Sequence, residues 1–273
     1  MINLLDINYI CIDLDGTLLN SSKCIDEDTV SILKQCIAEG KKIVLVSGRH
    51  FNEILPYANL LGLTSEDYVI SCDGEYIFKC DGTKIWSSAK LSISEVKYIS
   101  KCLNTDTFSI ITDQLNIHII KSFFCRLKSQ IIGILTGSSN RYWALNDARL
   151  SKLSNIEKVV IYKKGIDISS NLLNQFCVHN LDEGRLEFLP FGVNKYESLC
   201  MLEQLGVIRL ASSLYFGNDF NDYECFDKMT NTIAMKDSPS RILEKASYVT
   251  DSCDCKGVYN ALKNLMLISK KYY

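Results

Sequence analysis

The sequence lacks a strong net charge, a long apolar segment and a secretory leader. Its 273 residues hold 30 Lys and Arg against 32 Asp and Glu, and the basic residues are scattered. Binding to nucleic acid or anionic lipid relies on dense positive charge, so this balance argues against both partners. No segment has the apolar length of a membrane span, and no charged stretch followed by an apolar one opens the chain. We therefore expect a cytoplasmic protein with neither a nucleic-acid nor a membrane partner.

Groups of residues with the spacing of a zinc site are also lacking. The three histidines, His50, His118 and His179, lie far apart, and Cys253 and Cys255 have no second pair to complete four ligands. The twelve cysteines are irregularly spaced, and several lie within apolar runs, where a thiol behaves as a small hydrophobic group. We therefore expect reduced, structural cysteines.

Apolar runs alternate with helical patterns in the first section. Tyr9–Ile12, Lys42–Val46 and Tyr68–Cys72 are short runs typical of strands buried on both faces of a parallel sheet. Between them, residues 25–39 and 51–61 show helical periodicity, and a glycine follows each segment. This alternation predicts an α/β fold with a doubly wound sheet.

The pattern changes in the middle of the chain and then returns. Asp73-Gly74 and Asp81-Gly82 are typical of hairpin turns, and further strands and helices follow without regular alternation. The strand–helix order resumes with a predicted strand at residues 185–189 and a helix at 194–205. We therefore expect a parallel-sheet core formed by residues 1–79 and 187–273, interrupted by an inserted α+β domain at residues 80–186.

Three of the predicted strands end in short polar groups. Asp13 follows the first strand, Ser47 the second, and Gly217-Asn218 the strand at residues 214–216. Each could be only a turn former. Ligands of open parallel sheets bind beyond the carboxyl ends of the strands, so together these residues favour a shared crevice.

The segment Asp13-Leu14-Asp15-Gly16-Thr17 makes this prediction more specific. Two carboxylates two residues apart at a strand end repel each other unless a cation lies between them. Gly16 permits a positive φ, and the backbone amides that follow it can point at an anion. A cation held by oxygens beside amides that bind an anion is typical of a phosphate site.

Four motifs resemble those of the haloacid dehalogenase superfamily of phosphohydrolases. Asp13–Thr17 is similar to the first motif, and Ser47-Gly48-Arg49 to the second. Residues 191–195, Phe-Gly-Val-Asn-Lys, resemble the segment with the third-motif lysine, and residues 217–222, Gly-Asn-Asp-Phe-Asn-Asp, resemble the acidic fourth motif. Their order and spacing, with an insert between the second and third motifs, are similar to Cof-type sugar-phosphate phosphatases. The resemblance implies a Rossmann-like core with an inserted cap domain that selects the substrate.

The resemblance also implies roles for individual residues. Asp13 would attack phosphorus and form an aspartyl-phosphate, with Asp15 as general acid and then base and Lys195 as a charge against the phosphoryl oxygens. The residues implied to bind phosphate are Ser47, Gly48, Lys195 and Asn221. The residues implied to hold Mg²⁺ are Asp13, Asp15 through its backbone carbonyl, Asn218, and Asp222 through the metal's water shell. Arg49 is expected to shape its loop.

Some residues depart from the family pattern. Asn218 stands where the family usually has an aspartate metal ligand, so the site loses one negative charge and some Mg²⁺ affinity. Asp73 stands where Asn is usual, and Tyr196 where Gly is common. Lys236-Asp237-Ser238 replaces a stretch that is commonly small and neutral. These last differences would reshape the cleft without stopping the chemistry.

The resemblance therefore implies a magnesium-dependent phosphatase that acts on a small phosphorylated metabolite. A sugar phosphate is the leading expectation, and flavin mononucleotide and pyridoxal phosphate are also compatible. Two alternatives stay open: a phosphomutase, and a catalytically weakened regulatory protein that binds a phosphorylated metabolite. We expect a monomer or a small homo-oligomer.

Overall fold

The chain folds into two compact units. The structure, a computed structural model, describes residues 2–112, 115–135, 140–144, 146–163, 168–181 and 184–271. The first unit comprises residues 1–87 and 194–273, and the second comprises residues 88–193. The observed unit boundaries therefore follow residues 87 and 193, whereas the predicted boundaries followed residues 79 and 186.

An eight-stranded sheet forms the centre of the first unit. Its order is β14-β13-β12-β1-β2-β3-β4-β5. The first six strands in this order are parallel, whereas β4 and β5 are antiparallel additions at one edge. The strands are β1 (Tyr9–Asp13), β2 (Lys42–Val46), β3 (Tyr68–Ser71), β4 (Tyr76–Lys79), β5 (Lys84–Ser87), β12 (Ser213–Gly217), β13 (Thr232–Met235) and β14 (Tyr248–Thr250). The predicted α/β class with a parallel sheet is confirmed.

Both faces of this sheet are buried, which explains its continuous apolar strands. In β1, Ile10 and Ile12 belong to the apolar cluster on one face, and Cys11 belongs to the cluster on the other. The helices of this unit are α1 (Glu27–Ala38), α2 (Phe51–Leu61), α6 (Lys195–Gln204), α7 (Tyr223–Lys228), α8 (Ser240–Leu243) and α9 (Gly257–Lys271). The fold is therefore a three-layer α/β/α arrangement.

Local sequence signals begin and end the helices. The Asp26 side chain accepts a hydrogen bond from the Thr29 backbone amide at the start of α1. Gly62 follows α2 with φ 80°, a conformation that glycine adopts without a steric cost. These signals explain why the two predicted helices match α1 and α2 to within two residues.

The second unit is built on a separate six-stranded sheet. Its order is β10-β11-β9-β6-β7-β8, antiparallel except for the pair β7–β8. The strands are β6 (Phe108–Thr112), β7 (Asn116–Ile119), β8 (Arg141–Trp143), β9 (Ile156–Tyr162), β10 (Phe176–Leu181) and β11 (Arg185–Pro190). The helices are α3 (Ile93–Cys102), α4 (Phe123–Leu135) and α5 (Ser170–Leu173). At the start of α3, Ser92 and Glu95 form a capping box, in which each side chain accepts from the backbone amide of the other residue.

Two strands lie in a different unit from the one expected. The strand predicted at residues 185–189 was expected to resume the core, but β11 pairs with β9 and β10 in the second unit. β5 falls within the predicted insert, yet it pairs with β4 in the core sheet. A strand's own sequence does not specify its partner, and this explains both differences.

Among the described residues, the structure contains no helix that is both long enough and apolar enough to cross a bilayer.

Candidate active site

Polar side chains from four strands meet at one edge of the core sheet. Asp13 ends β1, Ser47 follows β2, Asp73 comes just after β3, and Asn218 follows β12. These four strands are neighbours and parallel, so their carboxyl ends lie side by side. The predicted crevice residues Asp13, Ser47 and Asn218 are therefore brought together.

Lys195 connects two carboxylates beneath this edge. It is the first residue of α6, and its side chain is fully buried. Its Nζ donates to Asp13 Oδ1 at 2.7 Å and to Asp222 Oδ1 at 2.7 Å. A buried ammonium is tolerated only when it is paired, and here two carboxylates share one cation.

Asp222 uses both of its carboxylate oxygens inside the protein. Oδ1 accepts from Lys195 and, at 2.6 Å, from the Tyr215 hydroxyl, while Oδ2 accepts from the backbone amides of Asn218 at 2.8 Å and Asp219 at 3.1 Å. Four donors fill the acceptor positions of a carboxylate. These four contacts fix the position of the Asp222 carboxylate, and its contact with a metal's water shell stays a prediction.

Burial and charge act in opposite directions on these groups. Burial raises the pKa of Asp13, while Lys195 lowers it and the nearby Asp222 raises it. For Lys195, burial favours the neutral amine, but the charges of Asp13 and Asp222 outweigh it and hold the pKa above its usual range. Lys195 is therefore the permanent positive charge of the site.

Asp15 lies in more open surroundings and has two cations of its own. Arg49 binds it with two hydrogen bonds, Nε to Oδ2 at 2.6 Å and Nη2 to Oδ1 at 2.7 Å. Lys23 Nζ donates to Oδ1 at 2.6 Å. The hydrogen bonds from Arg49, with those from Lys23, lower the pKa of Asp15 to about 2. Asp15 is thus held as an anion, and a proton-donating role requires these cations to move away.

Tyr57 connects the two cations that hold Asp15. Its hydroxyl donates to the Lys23 backbone oxygen at 3.1 Å and accepts from Arg49 Nη1 at 3.4 Å. The Arg49 guanidinium also lies 5.6 Å from the centre of the Tyr57 ring. Arg49 was expected only to shape its loop, but it orients a predicted catalytic carboxylate. Its place in the segment that resembles the second motif was the available signal, whereas Lys23 and Tyr57 gave none.

The Asn218 amide is surrounded by oxygens that suit a small cation. When its nitrogen faces them, it donates to Asp13 Oδ2 at 3.2 Å, the Asp15 backbone oxygen at 3.1 Å and Thr17 Oγ1 at 3.2 Å. A Cβ on Gly16 would lie 2.3 Å from this amide, so only glycine fits there. In this orientation the amide nitrogen is the donor for all three acceptors. Rotation of the amide would add its oxygen to those of Asp13 and Asp15, so these residues fit Mg²⁺.

The predicted phosphate ligands surround Asp73. Its carboxylate accepts a hydrogen bond from Asn221 Nδ2 at 2.9 Å. A Cβ on Gly48 would lie 2.9 Å from both carboxylate oxygens, so this position requires glycine. Ser47 is buried, and its Oγ accepts from the Arg49 backbone amide at 3.2 Å. The structure thus places Asn221 and Gly48 against an anionic side chain, and the substitution of Asp for the usual Asn occurs inside the site.

A family model gives the first comparison with known proteins. The model described as haloacid dehalogenase-like hydrolase matches residues 10–262. The chain belongs to this family. The family resemblance and the expectation of a phosphatase-type hydrolase are confirmed.

Two relatives that align with most of this hydrolase are named phosphatases. The 5-amino-6-(5-phospho-D-ribitylamino)uracil phosphatase YcsE of Bacillus subtilis (strain 168) is 23% identical over 277 residues, covering 96% of this chain and 97% of the relative. The HMP-PP phosphatase of Serratia proteamaculans (strain 568) is 22% identical, covering 82% and 81%. BT1666 of Bacteroides thetaiotaomicron, a phosphatase of the superfamily with a crystal structure, superposes with a TM-score of 0.74 at 18% identity and 95% coverage of each chain. This last likeness establishes the fold.

Proposed function

We propose that this hydrolase is a magnesium-dependent phosphatase that cleaves a small phosphorylated metabolite through an aspartyl-phosphate on Asp13. The observation that carries the proposal is the arrangement of Asp13 between the buried Lys195 ammonium and the oxygens around Asn218. One carboxylate oxygen is fixed by a cation, and the other faces the predicted metal position. This arrangement suits a nucleophile that must stay ionised and correctly aimed.

The protein's own residues can supply each proton in both steps. Arg49 and Lys23 first move away from Asp15, which then takes up a proton. The Asp13 carboxylate attacks phosphorus, and the bond from phosphorus to the leaving oxygen breaks as Asp15 donates that proton to the oxygen. Asp15 then takes a proton from a water molecule whose oxygen attacks the aspartyl-phosphate. The bond between phosphorus and Asp13 breaks, which releases inorganic phosphate and restores the enzyme. Lys195 stabilises the negative charge on the phosphoryl oxygens throughout.

Magnesium would be held by an Asp13 carboxylate oxygen, the Asp15 backbone carbonyl and the Asn218 amide oxygen. When bound, it would supply positive charge that offsets the repulsion between substrate and carboxylates. The neutral Asn218 contributes less attraction for Mg²⁺ than a carboxylate, so we expect activity that requires a comparatively high Mg²⁺ concentration.

The substrate class is proposed from the family and its relatives. YcsE and the Serratia enzyme are named for small phosphorylated metabolites, which supports a substrate of that kind here. We propose that the second unit acts as the cap and selects the leaving group. A sugar phosphate stays the leading expectation.

The test is phosphate release at increasing Mg²⁺ concentrations. Wild type and Asn218→Asp are assayed with p-nitrophenyl phosphate, sugar phosphates, flavin mononucleotide and pyridoxal phosphate. We expect wild-type activity that EDTA abolishes, and a half-saturating Mg²⁺ concentration about tenfold lower in the variant, since one added charge contributes on the order of 1.4 kcal/mol. Asp227→Asn, a surface carboxylate paired with Lys245, is the control.

Other outcomes decide between the alternatives. No release from any substrate at any Mg²⁺ concentration would rule out the hydrolase. Activity seen only in Asn218→Asp would instead identify a weakened protein that binds phosphorylated metabolites. Isomerisation of a sugar phosphate without net phosphate release would identify a phosphomutase.

A further inference from the structure

Helix α4 of the second unit is oriented with its apolar side toward solvent. Seven large apolar side chains on it are between 45% and 81% exposed: Phe123, Phe124, Leu127, Ile131, Ile132, Ile134 and Leu135. At about 100° per residue all of these except Ile132 fall within an arc of roughly 120°, and we call those six residues the α4 stripe. A helix on the surface of a globular domain normally buries such a stripe, so this surface is available to another partner.

The opposite side of α4 faces its own domain and is polar or small. Gly133 is buried, and Ser129 is partly buried. Arg126 donates to the backbone oxygens of Ile120 and Lys121, and Gln130 Nε2 donates to the Tyr142 backbone oxygen at 3.0 Å. These hydrogen bonds fix the rotation of the helix, so the exposure of the stripe follows from how α4 is attached.

The α4 stripe is symmetric about its midpoint near Ser129. If two copies of α4 pair antiparallel across a two-fold axis at that residue, each apolar side chain meets another from the partner. The facing pairs would be Phe123 with Leu135, Phe124 with Ile134, and Leu127 with Ile131. This self-complementary order is what a two-fold interface requires, because the same patch must serve both subunits.

The exposed area fits an interface between two copies. The exposed fractions together amount to about four fully exposed large side chains, or roughly 700 Å² per chain. A stable protein–protein interface of standard size buries about 800 Å² per partner. The stripe alone therefore supplies most of the surface needed.

The charges near α4 do not favour a membrane surface. Helices that lie on membranes display many Lys and Arg residues on their polar side. On α4 itself the basic residues are only Arg126, which is engaged by backbone oxygens, and Lys128, which is exposed. Just before the helix, Lys121 pairs with Asp106 at 2.8 Å. The chain's net charge of −2 adds no attraction for anionic lipid.

We propose that the chain forms a two-fold homodimer in which α4 packs antiparallel against α4 of a second copy. The dimer would join the second units of the two chains. It does not depend on the phosphatase chemistry, so the two proposals can fail separately.

The test measures molar mass by light scattering and sedimentation between about 1 and 100 µM protein, a range that begins at the weakest affinities of standard-size interfaces. We expect twice the chain mass of 30.9 kDa for wild type. Leu127→Lys and Ile131→Glu should each weaken dimerisation at least about tenfold, since each places a charge in an apolar interface. The double variant Leu127→Lys/Ile131→Glu should recover the dimer, because the two charges then face each other across the two-fold axis.

The controls are Leu60→Lys and Leu205→Glu, which introduce the same charged residues outside α4. Both leucines are 47% exposed, and both variants should stay dimeric. Circular dichroism and urea unfolding check that each variant is folded. A wild-type monomer at 100 µM, or single variants that dimerise as wild type does, would overturn the proposal. Failure of the double variant to recover would refute the antiparallel pairing. Binding of a monomer to phosphatidylserine vesicles would assign the stripe to a membrane instead.

Discussion

Asp13 and Asp15 are two residues apart in one motif, yet their surroundings differ in nearly every respect. Asp13 is buried and shares the single cation Lys195 with Asp222. The Asp15 side chain is 39% exposed and has two cations to itself. Around Asp13, two carboxylates share one cation, so negative charge is in excess. Around Asp15, one carboxylate has two cations, so positive charge is in excess. Under the proposed function, the surroundings of Asp13 would receive a further cation, and those of Asp15 would supply movable positive charge near the phosphate.

The largest expected effect comes from Asp13→Asn. The change keeps the shape of the side chain but removes the proposed nucleophile, so the rate of phosphate release should fall by at least about a thousandfold. Lys195 keeps Asp222 as a partner, so the fold should persist. Steady-state assays with saturating p-nitrophenyl phosphate and a thermal melt check both parts. Activity within tenfold of wild type would show that another group attacks phosphorus.

Lys195→Met should lower the free energy of unfolding by about 3–5 kcal/mol, because it leaves two carboxylates buried without their cation. Lys228→Met is the control, since the Lys228 side chain is 42% exposed and its ion pair with Glu197 contributes at most about 1 kcal/mol. Urea unfolding of both variants gives the comparison. Equal losses of stability in the two variants would contradict the claim that the buried ion pairs of Lys195 contribute more to the free energy of unfolding than a surface ion pair does.

Arg49→Lys should reduce the turnover number by about ten- to a hundredfold, since a lysine cannot orient the Asp15 carboxylate with two parallel hydrogen bonds before the cations move away and Asp15 takes up its proton. The free energy of unfolding should change by less than about 1 kcal/mol because the pair is partly exposed. Arg149→Lys breaks the same kind of two-bond pair with Asp147 in the second unit. If the control lowers turnover equally, Arg49 has no particular role in positioning Asp15.

The smallest expected effect is that of Lys23→Gln. The Lys23 side chain is 59% exposed, and Arg49 continues to hold Asp15, so turnover should change by no more than about threefold. Lys256→Gln removes a comparable surface pair with Asp28 and serves as the control. A loss as large as that in Arg49→Lys would reverse the ranking of the two cations.

The sequence was most informative for residues that come directly after a predicted strand, because the strand alone determines where they lie. Asp13, Ser47 and Asn218 come directly after buried strands of a parallel sheet, so their meeting at one edge could be predicted from periodicity. The fold class followed from the same alternation. Lys195 and Asp222 could be placed near Asp13 only through the family motifs, since both lie about two hundred residues along the chain from it.

Features that depend on long-range contacts could not be predicted. Lys23 and Tyr57 gave no signal because their roles arise when separate loops meet Arg49. The hydrogen bonds that fill the acceptor positions of the Asp222 carboxylate come partly from Tyr215 and two backbone amides. No sequence pattern identifies these donors. The strand β11 has an ordinary apolar pattern, and only its pairing with β9 and β10 places it in the second unit.

The central claim is that the phosphoryl group is transferred from the substrate to the Asp13 carboxylate. Chemical trapping of this intermediate tests the claim most directly. Borohydride reduces an acyl phosphate to an alcohol, so an aspartyl-phosphate formed during turnover would leave homoserine at that position. Protein quenched during hydrolysis of p-nitrophenyl phosphate is reduced, digested and sequenced by mass spectrometry. We expect homoserine at residue 13 in wild type, and none in Asp13→Asn or without substrate. Homoserine at another position, or none at residue 13 while phosphate is being released, would contradict the account.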